Sequence, residues 1–175
     1  ESGASARRRR RGRGVIALAM APWGSSHIAA SYSDSHIAVF DLHGPDSGPR
    51  CHLRGHRATS FYNKLAFSPE GTHVTSGSCD NHVYVWEVDR PLEPPAVLKG
   101  HTGEVVAVDW CPNDFTCLAS CADDDTARVW RVDRSTLHDA AGDGEARGAM
   151  GASTERGSMH TSIADRDFFR TPAPA

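Results

Sequence analysis

The sequence is poor in the features that would place it in a membrane, in a disulfide-stapled fold or among the common hydrolases. No stretch of its 175 residues approaches the roughly 18 consecutive apolar residues that a spanning helix needs, which argues against a membrane protein. Cysteine is sparse. The five are odd in number, form no Cys-x-x-Cys pair and follow no signal peptide, a usage that fits a reduced intracellular chain better than a disulfide framework. Cys111, Cys117 and Cys121 are spaced wrongly for zinc, while Cys51, His52 and His56 fall on one expected strand and its following loop, so no metal and no cofactor is expected. No G-x-S-x-G nucleophile elbow accompanies the serines. Aliphatic residues thin out after Arg134, where Gly, Ala, Ser, Thr and charge take over. Residues 135–175 are expected to be a disordered tail.

What is present is unevenly distributed. The first 14 residues hold six Arg against Glu1, and this head (1–14) is expected to be disordered. Since the whole chain carries −3 and the head +5, the remainder carries −8. An acidic body argues against nucleic acid as the main partner. The Arg run itself has the composition of a nuclear-import or nucleic-acid patch, or of a solvated tail.

The middle of the chain is built on a repeated hairpin. In Ser76 to Trp86, Asp80-Asn81 supplies turn chemistry between two alternating strands, with Val74, Ser76 and Ser78 running in and Val83, Val85 and the Trp86 region running out. A second copy runs from Leu118 to Trp130 and a degenerate third from Ala30 to Phe40. Asp34, Asp80 and Asp124 each stand six residues before an aromatic, at spacings of 46 and 44. Gly55-His56 and Gly100-His101 precede Trp86 and Trp130 by 30 and 29 residues, counted from the His. Such a period, with Gly-His and a terminal Trp, resembles the WD40 family, whose repeats build four-stranded propeller blades. The resemblance implies an all-β, WD40 β-propeller architecture.

It also implies a buried hydrogen-bonded chain of His, Ser, Asp and Trp in each repeat. The matching residues are His56, Ser76, Asp80 and Trp86, then His101, Ser120, Asp124 and Trp130. A buried Asp needs donors, which His and Ser supply, and a half-satisfied network is costly. These residues are therefore read as structural pins, and no catalytic residue is assigned. The competing reading, an Asp-His-Ser hydrolase triad, lacks its elbow.

Strands are expected at 15–20, 27–31, 36–41 and 51–54, then 61–67, 73–76, 83–88 and 96–99, then 105–110, 116–120 and 127–132. Ser68-Pro69-Glu70-Gly71 and Cys111-Pro112-Asn113-Asp114 punctuate the second and third sets as turns. This gives three blades, about 15–54, 55–99 and 100–134, the last without an outer strand. Propellers need four or more blades to protect their edges. The expectation is the C-terminal part of a larger, seven-bladed propeller.

One run is more specific. Trp110-Cys111-Pro112-Asn113-Asp114-Phe115-Thr116 sits inside Gly100–Arg131, which is similar to the final WD repeat of the denticleless family. Ser60-Phe61-Tyr62, Leu65 to Pro69 and Pro94-Pro95 before Val97-Leu98 extend the resemblance across 15–134. The resemblance implies a non-catalytic substrate receptor of a cullin-4 RING ubiquitin ligase, acting in the nucleus. Its expected partners are the damaged-DNA-binding adaptor and degron-bearing proteins held on proliferating cell nuclear antigen, the sliding clamp. No small-molecule substrate is implied. The alternative is a generic WD40 scaffold in a nuclear RNA-processing or signalling complex. Adaptor docking in such receptors uses W-D-x-R, and Phe40-Asp41-Leu42-His43, Trp86-Glu87-Val88-Asp89 and Trp130-Arg131-Val132-Asp133 all lack the Arg. Loops after Gly-His and the hairpin turns crowd one mouth of a WD propeller. That collects Arg57, Thr59, Ser60, Asn81, Thr102, Glu104, Asp123 and Asp125, among which Glu104, Asp123 and Asp125 are candidates to meet a basic degron residue. In the tail, Phe168-Phe169 resembles the paired aromatics of clamp-binding motifs, but Asp165 stands where an aliphatic belongs and Ser162 where Gln does. Thr171-Pro172 has the form of a proline-directed phosphorylation site.

Overall fold

The computed structural model describes residues 14–60 and 63–131, all of whose regular structure is β apart from one 3-10 turn at Pro45–Ser47. The Arg run, Phe61, Tyr62, Val132 to Arg134 and the 135–175 tail with Phe168, Phe169 and Thr171 lie outside the described residues.

Eleven strands form three antiparallel meanders. The first sheet runs β1 (Val15–Met20), β2 (His27–Tyr32), β3 (His36–Asp41) and β4 (Pro49–Arg54). The second runs β5 (Leu65–Phe67), β6 (His73–Gly77), β7 (His82–Glu87) and β8 (Ala96–Lys99). The third contains β9 (Val105–Trp110), β10 (Cys117–Ala122) and β11 (Ala127–Arg131) among the described residues. Each meander has the strand order of a propeller blade, as the repeats led one to expect.

The hairpin turns are built alike. Ser35, Asn81 and Asp125 each follow the turn Asp and each has a left-handed backbone, with φ of 63°, 71° and 60°. Asn and Asp tolerate that conformation better than most residues. The three turns therefore share one backbone shape despite different side chains. In the Ser68–Gly71 turn, Gly71 N–H donates to Ser68 O at 2.8 Å with φ 75°.

Two cores lie between the sheets. Ile37, Val39 and Leu53 of the first sheet meet Leu65, Phe67, Val74, Trp86 and Val88 of the second. Val83, Val85 and Leu98 on the other side of the second sheet meet Val105, Val108, Trp110, Leu118 and Trp130. The second sheet is thus covered on both faces, and Val74, Thr75, Ser76, Gly77 and Ser78 are all buried. Thr75, on the face opposite Val74, accepts a hydrogen bond at 2.9 Å from Trp110 Nε1 of the third sheet. Gly77 marks the closest approach, since a Cβ there would lie 2.2 Å from Val105 O.

Several strand boundaries also move, most by one or two residues, and two of the shifts have a visible cause. The first strand of the second sheet opens at Leu65, next to Lys64, whose carbonyl accepts from Gly77 N–H at 3.2 Å while its N–H turns to Val106 O of the third sheet, 3.0 Å away. Thr116 belongs to the turn and not to β10, because its backbone N–H and hydroxyl both donate to Asp114 Oδ1.

Candidate functional site

The third-sheet pin is complete and runs in one direction. Trp130 Nε1–H donates to Ser120 Oγ at 2.8 Å, and Ser120 lies 2.8 Å from His101 Nε2. His101 Nδ1 lies 2.9 Å from Asp124 Oδ2. Because a carboxylate only accepts, the ring carries its proton on Nδ1, and Nε2 must accept from the serine. Asp124 is held from the other side as well. Thr102 N–H donates to Oδ2 at 2.8 Å, and the Thr126 hydroxyl donates to Oδ1 at 2.6 Å. Burial is the largest single influence on Asp124 and pushes its carboxyl up, yet these donors together hold it well below the usual carboxylate range. Burial holds His101 below its ordinary value despite Asp124, consistent with a neutral ring.

Distances in the Asp124, His101 and Ser120 set would suit a hydrolase triad. Exposure does not, since the His101 side chain has no accessible surface and Ser120 keeps 4%. The serine oxygen is also occupied by the indole N–H, and a nucleophile needs an open approach.

The second-sheet pin is not made, which corrects the expectation for His56, Ser76, Asp80 and Trp86. His56 is 3% exposed, and neither ring nitrogen has a hydrogen-bond partner. Tyr84 causes the difference: its hydroxyl donates to Asp80 Oδ2 at 2.7 Å, while His82 N–H reaches Oδ1 at 3.3 Å. Tyr84 lies stacked on Trp86, with centroids 5.7 Å apart, and His56 sits edge-on to Trp86 at 5.2 Å. The remaining members go elsewhere. Ser76 Oγ donates to Gly77 O and Trp86 Nε1 donates to Arg54 O. Burial depresses His56 to about 4, with Asp80 only partly offsetting it. The same burial, with the bond to Asp80, pushes the Tyr84 phenol up to about 12.

Above the pins, the loops after His56 and His101 meet the hairpin turns in one rim. Arg57 O accepts from Cys79 N–H at 2.9 Å, and Ala58 N–H reaches Ser35 Oγ of the first sheet. The Cys79 thiol lies 3.3 Å from Glu104 Oε1 and 3.4 Å from Asn63 Oδ1, while Thr59 donates to its sulfur. Asp123 N–H donates to Glu104 O at 2.9 Å. Arg57, Asp123 and Asp125 are exposed, Glu104 and Ser60 are half-buried, and Thr102 is exposed with its N–H held by Asp124. Asn81 serves the turn, and its amide donates to Thr102 O at 3.1 Å, joining the two sheets.

Sequence reasoning passed over Tyr84, Thr126 and Asn63. Asn63 is buried with Nδ2 donating to Val105 O at 2.8 Å. Tyr84 and Thr126 were visible as the residues four and two positions after the turn Asp; nothing in the sequence marks Asn63. Among the described residues no three His, Cys, Asp or Glu side chains converge to hold a metal ion.

Comparison with known proteins agrees with this geometry. Residues 47–87 and 92–131 match the WD domain, G-beta repeat. Each match begins near the outer strand of one sheet and continues through three strands of the next, so every repeat ties two sheets together. The chain is 40% identical over 118 residues to the human Denticleless protein homolog, covering 67% of this chain and 16% of that protein. It is 41% identical over 122 residues to Denticleless protein homolog A of Xenopus laevis, 70% of this chain and 17% of that one. The Drosophila melanogaster protein lethal(2)denticleless is 32% identical over 107 residues, 61% and 14% of the two chains.

Proposed function

From the premise that this chain is a WD-repeat protein of the Denticleless family, we propose that its rim recognises substrates for a cullin-4 RING ubiquitin ligase in the nucleus. The substrates are degron-bearing replication-licensing and cell-cycle regulators held on proliferating cell nuclear antigen. In this reading the chain does no chemistry. It positions a substrate lysine for the ligase-bound conjugating enzyme, and proximity supplies the rate.

A propeller alone names no function, so the reading rests on the rim. The supporting observation is that Glu104 and Asp123 are tied together by a backbone hydrogen bond beside exposed Asp125, next to the fully bonded third-sheet pin. A preformed acidic edge suits a basic degron residue because little ordering is needed on binding. Contact with the damaged-DNA-binding adaptor is assigned to parts of the protein other than the three Trp or Phe runs, none of which carries the docking Arg.

Fluorescence anisotropy with a basic degron peptide on clamp tests the proposal. The Glu104→Gln/Asp123→Asn/Asp125→Asn variant is expected to bind at least about tenfold more weakly, with unchanged unfolding. Equal binding by the variant, or no capture by the parent, would overturn it. Salt-sensitive RNA retention lost on deleting residues 1–14 would instead favour an RNA-processing scaffold.

A further inference from the structure

The turn that carries the family resemblance also places two cysteines across from each other. The β9–β10 register pairs Leu118 with Trp110 and Ala119 with Asp109. Extended by one pair, it sets Cys117 opposite Cys111, and Cys111 N–H does donate to Cys117 O at 2.9 Å. Cys117 N–H donates to Asp114 O at 3.0 Å instead of returning the bond, so the two cysteines face each other at the mouth of the turn. Directly opposed residues of an antiparallel pair have Cα atoms about 4.5–5.5 Å apart and side chains on one face. Disulfides span about 4.4–6.8 Å between Cα atoms, most often about 5.5–6 Å, so no strand needs to move far.

The pair is also reachable. Trp110, Leu118 and Trp130 point into the core against the second sheet, which leaves Cys111 and Cys117 on the opposite face with exposed Asp109 and Ala119. Both thiols are free and half-buried. The other cysteines are placed differently. Cys51 is buried with its thiol directed at Val88 O, Cys79 lies against Asn63 and Glu104, and Cys121 stands opposite Ala107.

We propose that Cys111 and Cys117 form a redox modification site that low-molecular-weight disulfides, such as glutathione disulfide, convert to a cross-strand disulfide. The Cys111 thiolate attacks one sulfur of the external disulfide, expelling one thiol and leaving a mixed disulfide on Cys111. The Cys117 thiolate then attacks the Cys111 sulfur and expels the second thiol. The two protein thiols lose two electrons and two protons, and the external disulfide gains both. Cys111 acts first because burial raises the Cys117 thiol and disfavours its thiolate, and Cys117 loses its proton to solvent when it attacks in the second step.

Glutathione disulfide added to the full chain, followed by cleavage before Asp114 and mass spectrometry, reads the product directly. The expected result is two peptides joined until reductant is added, formed about tenfold faster in the folded chain than in denaturant, because the fold orients the thiols. Cys117→Ser should stop at a glutathione adduct on Cys111, and Cys121→Ser should leave the link intact. Separate adducts on Cys111 and Cys117, a link through Cys121, or equal rates folded and unfolded would overturn the proposal.

Discussion

The second and third sheets carry the same four letters and use them differently. In the third, Trp130, Ser120, His101 and Asp124 pass hydrogen bonds along one line, and Thr102 and Thr126 close its end. In the second, Tyr84 takes the Asp, the Trp turns to Arg54 O and His56 is buried with both nitrogens unpartnered. The position that decides is four residues after the turn Asp, which is Tyr84 in one sheet and Arg128 in the other. A motif therefore specifies the candidates for a polar network, and a neighbour on the same strand face specifies which bonds form. The second sheet can tolerate the loss because it is packed on both faces, with two cores to hold it.

The comparison breaks most visibly at the carboxylates. Asp124→Ala strips acceptors from buried His101 and from Thr102 and Thr126 and is expected to cost about 3–5 kcal/mol in chemical denaturation, against about 1 kcal/mol for Asp80→Ala. The histidines come next. His101→Leu takes one partner each from Ser120 and Asp124, which keep Trp130, Thr102 and Thr126, and should cost about 2–4 kcal/mol, whereas His56→Leu removes two unpaired nitrogens and should fall within about 1 kcal/mol of neutral.

Acid sharpens the contrast. His56 ordinarily titrates at 6.5 and is depressed to about 4 in the fold. Between those values the unfolded chain takes up a proton that the folded chain refuses, so stability is full above 6.5 and drains away as pH falls toward 4. Up to about 3 kcal/mol is at stake, and His56→Leu should remove that part of the slope. The smallest effect belongs to Tyr84→Phe, expected to cost about 1 kcal/mol while freeing Asp80 to raise the His56 titration.

Much of this architecture was legible in the chain. The Asp-to-aromatic spacing located all three hairpins, and β1, β3, β8 and β9 span the expected residues, because turn Asp, Pro and Gly act through local backbone preferences. What the letters hid was contact between sheets. Lys64 N–H turned to Val106 next to a shortened strand, Trp110 bonding to Thr75 put a polar residue in a core, and Tyr84 displaced His56. Each depends on partners 35 or more residues away or on competition for one acceptor, and neither follows from periodicity. At the rim, the residues predicted from loop position do gather, but Asn81 is spent on Thr102 and the exposed acids are Asp123 and Asp125.

Nitrogen-15 NMR of the histidine rings compares the two pins at their centre. His101 should hold a single neutral form at neutral pH with the proton on Nδ1 and an accepting Nε2, while His56 titrates near 4 with no hydrogen-bonded ring nitrogen. Two histidines with matching tautomers and matching titrations near their ordinary value would contradict the account.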